Sequence, residues 1–327
     1  MHAAVSLVIT SVSAPNEALK SMATHCVSHA IQMIVVGDVS SPPFQLDGCR
    51  FVSLEEQASL PFRLAALLPR GHYARKNMGY LLAKESAMIL ETDDDNHPLE
   101  TFWNDRNEKV NAALAATGDW YNVYRYFSAE HIWPRGFPLE KVTLSTVPPG
   151  NHEESAYPIR AGLANGNPDV DAIYRMTGRL PFSFGIKEPL ALGNNTWCPF
   201  SSQNTTWFRE AYLLLYLPSH CSFRMTDIWR SFVAQRIAWT CGWKILFHEP
   251  TVVQHRNNHD LMKDFRDELP GYLDNTAICR ALEDLDLLVG AKHIAENLWR
   301  CYSMLCEKKY LDIKELPLVE AWISDMN

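Results

Sequence analysis

Two apolar, β-branched runs separated by a helical pattern constrain the fold of this chain most strongly. The runs are AVSLVITSV at 4–12 and IQMIVVGD at 31–38. The second is apolar almost throughout, as expected for a strand that is buried on both faces of a parallel sheet. Between the runs, Leu19, Met22 and Cys26 recur at helical spacing. A strand, a helix and a second strand in this order predict the beginning of an α/β sheet.

The same alternation continues to residue 95 and defines one edge of the predicted sheet. CRFVSLEEQ predicts a third, shorter strand, residues 74–86 predict a helix, and AMIL predicts a further strand. This β-α-β-β-α-β order is typical of an open α/β sheet, in which ligands bind beyond the carboxyl ends of the strands. The candidate ligand-binding residues are therefore those that follow the strands: Thr10, Ser11, Asp38 and residues 93–95.

Three consecutive aspartates follow an apolar run in SAMILETDDDNHP, residues 86–98. Adjacent carboxylates repel one another and lose solvation on burial, unless a divalent cation neutralises them. Asp93 and Asp95 would leave the strand end in the same direction and could hold a cation bound to a diphosphate. A solvated acidic loop before a helix near Pro98 is the alternative. A phosphatase-like aspartate nucleophile is a rival, although such motifs usually follow the first strand.

A second group of polar residues lies in MTDIWRSFVAQRIAWTCGWKILFHEPTVVQH, residues 225–255. The pattern predicts a helix that Thr226 or Asp227 caps and Gly242 ends, and then one or two strands up to His255. Taken alone, Asp227 is more simply a helix cap, and His255 is more simply a hydrogen-bonded structural histidine.

Composition excludes several classes of protein. The net charge of -8 argues against a general nucleic-acid binder, which normally has a basic surface. The eight cysteines include no C-x-x-C pair, which indicates reduced thiols rather than a disulfide framework or a structural zinc site. No basic segment precedes the first apolar run, and no stretch is apolar for about 18 residues, so neither a signal peptide nor a transmembrane helix is expected.

The order acid, helix, strand and histidine after an α/β half resembles the C-terminal half of A-type glycosyltransferases. A narrower resemblance, to the STELLO family of glycosyltransferase-like proteins, rests on five segments between about residues 70 and 256: KNMGYLLAKESAMILETDDDN, HIWPRGFPLE, GLANGNPDVDAIYR, CPFSSQNT and FRMTDIWRSFVAQRIAW. It implies a glycosyltransferase A-type fold, a Rossmann-like mixed α/β sheet flanked by helices. Plant members are Golgi membrane proteins linked to cellulose synthase assembly. Because no anchor is expected here, a cytoplasmic location, or one peripheral to a membrane-bound glycan assembly system, is expected instead.

The resemblance implies roles for the acidic residues and the histidine. Asp93 and Asp95 match the D-x-D motif that binds Mn²⁺ or Mg²⁺ with the diphosphate of a nucleotide sugar. His255 matches a third metal ligand. Asp227 matches the general base of inverting members of the class.

Further residues are predicted to bind the nucleotide or the sugars. The predicted nucleotide-binding residues follow the strands or begin the helix before the aspartates: Thr10, Ser11, Asp38, Arg75, Asn77 and Asp93. The predicted substrate-binding residues lie in segments that resemble the family or its acceptor loop: Trp133, Arg135, Asp171, Ser202 and Asn204. Asp169 lies in the same region, but the sequence Asn-Pro-Asp favours a turn-capping role for it.

The sequence therefore predicts a metal-dependent, inverting transfer of a sugar from a nucleotide diphosphate sugar to a hydroxyl of a glycan acceptor. UDP is the donor nucleotide suggested by the class. Two alternatives remain: a sugar-nucleotide mutase of the reversibly glycosylated polypeptide type, and a non-catalytic glycosyltransferase-like scaffold for polysaccharide synthesis. An intact D-x-D motif and an intact base disfavour the scaffold.

Three regions are predicted along the chain. Residues 1–100 form the nucleotide-sugar-binding α/β half, residues 101–260 form the acceptor-binding and catalytic half of the same domain, and residues 261–327 form a helical extension. Within the second region, NTTWFREAYLLLYLP predicts a helix that Pro218 stops.

Overall fold

The computed structural model describes residues 4–104, 106, 109–255 and 260–327. The strands are β1 Val5–Thr10, β2 Gln32–Val36, β3 Cys49–Val52, β4 Met88–Thr92, β5 Asn96–Pro98, β6 Lys109–Ala115, β7 His152–Ala156, β8 Ile159–Gly166, β9 Leu190–Leu192, β10 Asn204–Phe208 and β11 Ile245–Gln254. The α-helices are α1 Glu17–Ser28, α2 Leu54–Ser59, α3 Arg63–Leu67, α4 Lys76–Leu82, α5 Val123–Tyr126, α6 Ala172–Thr177, α7 Thr226–Thr240, α8 Leu261–Asp284, α9 Ile294–Glu307 and α10 Glu315–Met326. Short 3₁₀ segments include Tyr73–Arg75, Arg209–Leu215 and Phe223–Met225.

The strands of the described chain form one mixed sheet in the order β3-β2-β1-β4-β10-β8-β11-β9-β6-β7, with β5 paired to β11. β1 runs parallel to β2 and β4, β10 runs antiparallel to both β4 and β8, and β11 runs parallel to β8. The predicted mixed α/β sheet flanked by helices is confirmed. It follows from these pairings that the carboxyl ends of β1, β2, β4, β8 and β11 and the amino end of β10 meet at one edge.

Apolar side chains alternate between the two faces of the sheet, as the period of a strand requires. On β1, Leu7 and Ile9 pack toward α1 on one face, whereas Val8 joins the larger cluster on the other face. Ile89 and Leu90 of β4 divide in the same way. Both faces of the central strands are therefore buried, which explains their nearly continuous apolar sequence.

Two details of the second half differ from the sequence prediction. The segment after Gln203 begins with a strand, β10, and continues as a 3₁₀ segment, so the helix predicted for NTTWFREAYLLLYLP is wrong. β-branched Thr205 and Thr206 suit the position of β10 between two strands. The helix predicted after Met225 is confirmed as α7, but neither Thr226 nor Asp227 caps it, because a 3₁₀ turn leads directly into it.

The C-terminal helices pack on the same core as the sheet. Leu282, Leu298 and Trp322 belong to the buried cluster that also contains Ile89 of β4. The helical character predicted for this region is confirmed, and the region is in continuous apolar contact with the rest of the chain.

Two carboxylates of α10 also hold loops that lead to the strand-end edge. The Asp325 carboxylate accepts hydrogen bonds from the first N–H groups of α3, at 3.0 and 2.8 Å. Glu315 accepts from the N–H groups of Ser219 and His220, just before the turn into α7. α10 therefore positions the backbone on two sides of the sheet edge.

A buried ion pair joins α7 to β4. Arg230 donates two hydrogen bonds of 2.9 Å to the two carboxylate oxygens of Glu91, and both side chains are almost completely buried. Glu91 also accepts a 2.7 Å hydrogen bond from the Trp207 indole and one from the Tyr80 hydroxyl. These contacts satisfy the carboxylate, which would otherwise be a costly buried charge.

We predict that Arg230→Met lowers the free energy of unfolding by about 3–5 kcal/mol, because Glu91 stays buried without its cation. Urea denaturation followed by tryptophan fluorescence measures this change. Arg50→Met is the matched control, because Arg50 pairs with Glu56 at the surface and such pairs contribute about 0–1 kcal/mol. An equal effect of the two substitutions would contradict the role of the buried pair.

Candidate active site

A cavity of about 510 Å³ opens at the edge where these strands end. Its volume falls in the range that small-molecule ligands occupy. Most of the residues predicted from strand ends and from the resemblance line it: Thr10, Ser11, Asp38, Arg75, Asp93, Asp95, Arg135, Ser202 and Asp227. Residues that the sequence analysis did not assign also line it, among them Tyr73, Asp169, Phe223, Arg224 and Gln254.

The first two aspartates of the triplet have different partners. Asp93 Oδ1 accepts a 3.2 Å hydrogen bond from the Tyr73 hydroxyl and lies 3.6 Å from the Lys76 Nζ. Asp94 instead accepts a 2.6 Å hydrogen bond from the hydroxyl of Ser11 at the end of β1. The triplet is therefore ordered by contacts with both neighbouring elements and is not a solvated loop.

Asp95 is bound to the end of β11. Its Oδ1 accepts a 3.0 Å hydrogen bond from the Gln254 side-chain amide, and its carbonyl accepts a 3.1 Å hydrogen bond from the His255 backbone N–H. The His255 ring is not part of the cavity wall. It packs edge-to-face on His97, with ring centroids 4.8 Å apart. The metal ligand predicted at His255 therefore stays a prediction, since in this structure the residue reaches Asp95 through its backbone.

A buried lysine and a tyrosine lie beneath Asp93. Lys76 is completely buried, and its Nζ donates to the Thr92 carbonyl at 2.8 Å and to the Tyr73 oxygen at 3.0 Å. The Tyr73 oxygen lies 2.5 Å from the Ser202 Oγ. This contact joins the aspartates after β4 to the segment before β10. No sequence pattern distinguishes these two residues from ordinary positions at the start of a helix.

The acidic residues fit a divalent cation. Burial raises the pKa of Asp93 to about 7; Lys76 lowers it, and the carboxylates of Asp95, Asp227 and Asp94 raise it further. Lys76 therefore does not balance the negative charge of the carboxylates around Asp93. Carboxylate oxygens are ligands that Mn²⁺ and Mg²⁺ prefer, so Asp93 and Asp95 suit the predicted ion. Among the residues that the structure describes, no group of three or more His, Cys, Asp or Glu side chains is arranged to hold a metal.

Asp38, which follows β2, also lines the cavity. Its Oδ1 accepts from the N–H groups of Val39 and Gly71, and its Oδ2 accepts from the N–H of His72 at 2.8 Å. Since each carboxylate oxygen has two lone pairs, Oδ2 retains one for a ligand. Asp38 therefore both orders the loop at residues 71–72 and keeps one free acceptor position.

Arg75 borders the cavity, but its charged group is used by the protein. The guanidinium donates to the carbonyls of Pro69 and Leu68 and to the side-chain oxygen of Gln57. Burial lowers the pKa of Arg75, which Asp38 partly offsets. The predicted contact with the nucleotide is not supported, because Arg75 shapes the loop that leads to Tyr73.

Arg135 connects two carboxylates in the cavity wall. Its Nε and Nη2 donate to the two oxygens of Asp169 at 2.7 and 2.8 Å, and Nη2 also reaches Asp227 at 3.0 Å. Asp227 further accepts from the N–H and the hydroxyl of Ser202, at 3.2 and 3.3 Å. The carboxylate at the start of α7 is thus held by two other segments, which contain Arg135 and Ser202.

Asn77, predicted to bind the nucleotide, and Asn204, predicted to bind the substrate, are not among the residues that line the cavity. The Asn77 amide bonds both backbone groups of Leu217 at 2.9 Å, inside the core. The Asn204 amide donates to the Leu163 carbonyl and the Thr251 hydroxyl, each at 2.9 Å. Neither contact is supported by the geometry, because these amides connect neighbouring segments of the backbone.

The geometry also does not support Trp133 and Asp171 as substrate-binding residues. The Trp133 indole donates to Asp171 at 2.6 Å, and Asp171 caps α6 through the N–H of Tyr174. Neither residue lines the cavity, whereas Asp169 does. Of the two aspartates, Asp171 is therefore the helix cap and Asp169 lines the cavity, the reverse of the predicted roles.

An acid-lined cavity at the carboxyl edge of a mixed α/β sheet defines a ligand-binding α/β protein, with its site where such sheets bind ligands. Comparison with known sequences narrows this class. The model of the STELLO glycosyltransferases matches residues 224–327. This match extends through the C-terminal helices, past residue 256, where the expected resemblance ended. The resemblance to STELLO glycosyltransferases is confirmed.

Two curated Arabidopsis thaliana proteins, named probable glycosyltransferase STELLO2 and probable glycosyltransferase STELLO1, are each 26% identical to this chain over 356 aligned residues. The alignments cover 98% of this chain, which spans 44% of the length of these relatives. A solved structure, glucosyl-3-phosphoglycerate synthase from Mycobacterium tuberculosis with Mn²⁺, UDP-glucose and phosphoglyceric acid, is 13% identical. Its TM-score is 0.43, with 84% of this chain and 79% of that chain covered.

The helices bear on the expectation that no segment of the chain crosses a membrane. Within residues 4–104, 106, 109–255 and 260–327, no helix is both long and apolar enough to cross a membrane.

The pKa of Asp93 predicts how stability depends on pH. Because folding raises this pKa from 3.8 to about 7, the folded chain binds more protons than the unfolded chain in this window. Stability therefore falls as the pH rises from about 4 to about 7. Asp93→Asn removes the charge, so it should raise the melting temperature in EDTA more at pH 8 than at pH 5. Asp47→Asn, at an exposed position, should show no such difference. An equal gain for Asp93→Asn at both pH values would contradict the assignment.

Proposed function

We propose that this chain transfers a sugar from a nucleoside diphosphate sugar, with UDP as the first candidate, to a hydroxyl group of a glycan acceptor. One observation supports this proposal above all. Asp93 and Asp95, at the end of β4, and Asp227, at the start of α7, line one cavity. The name glycosyltransferase, given to the curated relatives, agrees with it.

The donor would lie along the ends of β1, β2 and β4. Thr10 and Ser11 border the part of the cavity next to Asp38, whose free lone pair on Oδ2 can accept a hydrogen bond from a base or a ribose. The diphosphate would then lie over Asp93 and Asp95. These two carboxylates would hold Mn²⁺ or Mg²⁺, which when bound stabilises the negative charge of the leaving diphosphate.

Asp227 would act as the general base. An acceptor hydroxyl gives its proton to the Asp227 carboxylate while its oxygen forms a bond to the anomeric carbon. The bond from that carbon to the diphosphate oxygen breaks, and the diphosphate leaves with the electron pair. Attack from the face opposite the diphosphate inverts the anomeric configuration.

We expect Asp227→Asn to lower the transfer rate by at least about 10²-fold, because general-base catalysis contributes about 10²–10⁴-fold. The assay measures UDP released from UDP-glucose or UDP-galactose with Mn²⁺, in the presence of mixed neutral oligosaccharides. Calorimetric binding of UDP with Mn²⁺ should stay within about twofold of the unsubstituted chain. Asp119→Asn, in an exposed pair with Lys141, is the control. Retained transfer in Asp227→Asn would reject its role as the base.

We expect Asp95→Ala to abolish the effect of Mn²⁺ on nucleotide binding. In the unsubstituted chain, UDP should raise the melting temperature more with Mn²⁺ than with EDTA, because a ligand that binds the folded state stabilises it by mass action. The substitution should remove this difference and leave the ligand-free melting temperature nearly unchanged. A persistent difference would count against Asp95 as a ligand of the ion.

Incubation with the nucleotide sugar alone distinguishes the remaining alternatives. A mutase would convert the donor into its isomer without any acceptor. A scaffold would bind nucleotide without releasing UDP under any condition.

A further inference from the structure

We propose that Asp169 is a positioning residue for the candidate base: it fixes Arg135 so that one oxygen of Asp227, Oδ1, remains available to accept the proton. This inference rests on the proposed function and adds a residue and an atom to it.

Asp169 fixes Arg135 in position and orientation. The side chains form a two-point contact of 2.7 and 2.8 Å, and the Arg135 backbone N–H donates to the Asp169 carbonyl at 2.8 Å. The Arg135 Nη1 donates to the carbonyl of Arg224, one residue before the 3₁₀ turn into α7 ends. Because Nε, Nη1 and Nη2 all have partners, the guanidinium plane cannot rotate without losing several hydrogen bonds.

The two oxygens of the Asp227 carboxylate use their lone pairs unequally. Its Oδ2 accepts from Arg135 Nη2 at 3.0 Å and from the Ser202 N–H at 3.2 Å, and it also lies 3.3 Å from the Ser202 hydroxyl oxygen. Its Oδ1 accepts only the 3.1 Å contact from Arg135 among these partners. A carboxylate oxygen has two lone pairs. Oδ2 is therefore fully used, and Oδ1 keeps a position for the acceptor hydroxyl.

Asp169 also acts electrostatically on Arg135. Although burial acts to raise it, the pKa of Asp169 is lowered to about 2, chiefly by Arg135. Asp169 is thus ionised over the whole neutral range and shares the charge of Arg135 with Asp227. Without Asp169, more of the cationic charge would act on Asp227, and a carboxylate next to a less compensated cation accepts a proton less readily.

Other charged or titratable groups near Asp227 belong to several elements, and none replaces Asp169. Beside Arg135 and Asp169, they are Tyr73, Asp93, Cys221 and Arg230. Arg230 is already paired with Glu91, and Asp93 is next to Lys76. Removal of Asp169 therefore changes the charge around Arg135 most directly.

The test compares Asp169→Asn, Asp169→Glu and the control Asp119→Asn in the 327-residue chain. The reaction is UDP release from UDP-glucose with Mn²⁺, measured as kcat and KM between pH 5 and pH 9. Asp169→Asn should lower kcat by about 10-fold or more, but by less than the 10²–10⁴-fold expected for loss of the base itself. The donor KM should stay within about twofold, and the acid limb of the kcat profile should move to lower pH.

Asp169→Glu should keep the acid limb at the pH found for the unsubstituted chain and recover most of kcat, since the charge remains. If Asp169→Asn does not fold, Asp169→Glu and Arg135→Lys replace it. Arg135→Lys keeps a cation but loses the two-point contact, so it should lower kcat at an unchanged donor KM.

The outcomes separate this inference from the proposed function. An unsubstituted chain that releases no more UDP than Asp227→Asn would reject the proposed function. An active chain that requires Asp227, but whose kcat and acid limb are unchanged in Asp169→Asn, would overturn only the role of Asp169. A lower kcat in Asp169→Asn with an unchanged acid limb would also overturn only the role of Asp169.

Discussion

The buried pair between Glu91 and Arg230 determines how the two halves of the site meet. Glu91 lies on β4, two residues before Asp93, and Arg230 lies on α7, one turn after Asp227. Two hydrogen bonds of 2.9 Å between almost fully buried groups leave little freedom for the helix to move along the strand. The candidate metal ligands and the candidate base therefore have a fixed relative position, although they are far apart in the sequence.

These buried contacts also allow the fold to place several carboxylates close together in the cavity. Three carboxylates follow β4, and two more, Asp169 and Asp227, share one arginine. Lys76, completely buried below Asp93, supplies only part of the opposing charge. A protein fold tolerates such an arrangement when other contacts, here the ion pair of α7 and the core around it, supply the stability. The charge that remains is suited to a divalent cation.

The sequence predicted the sheet and its ligand-binding edge because strand periodicity and strand order are local properties. It also led to Asp93, Asp95 and Asp227, which directly follow or begin an element and which line one cavity in the structure. It failed where a polar residue in a loop has two possible partners: Asp169 and Asp171 are two residues apart, and only the fold decides which of them meets Arg135. It also missed Lys76 and Tyr73, because burial of a helix residue beneath an acidic loop depends on contacts between distant segments. The helix predicted at residues 204–218 failed because pairing with β4 and β8 outweighed its helical periodicity.

The central claim is that the edge of the sheet binds a divalent cation together with a nucleoside diphosphate. Anomalous diffraction at the manganese absorption edge, from crystals grown with Mn²⁺ and UDP, tests it most directly. We predict one anomalous peak, from manganese, in the cavity beside Asp93 and Asp95. The diphosphate should lie next to this peak and the nucleoside toward Asp38. Well-ordered UDP in the cavity without manganese beside these aspartates, or manganese bound only elsewhere, would contradict it.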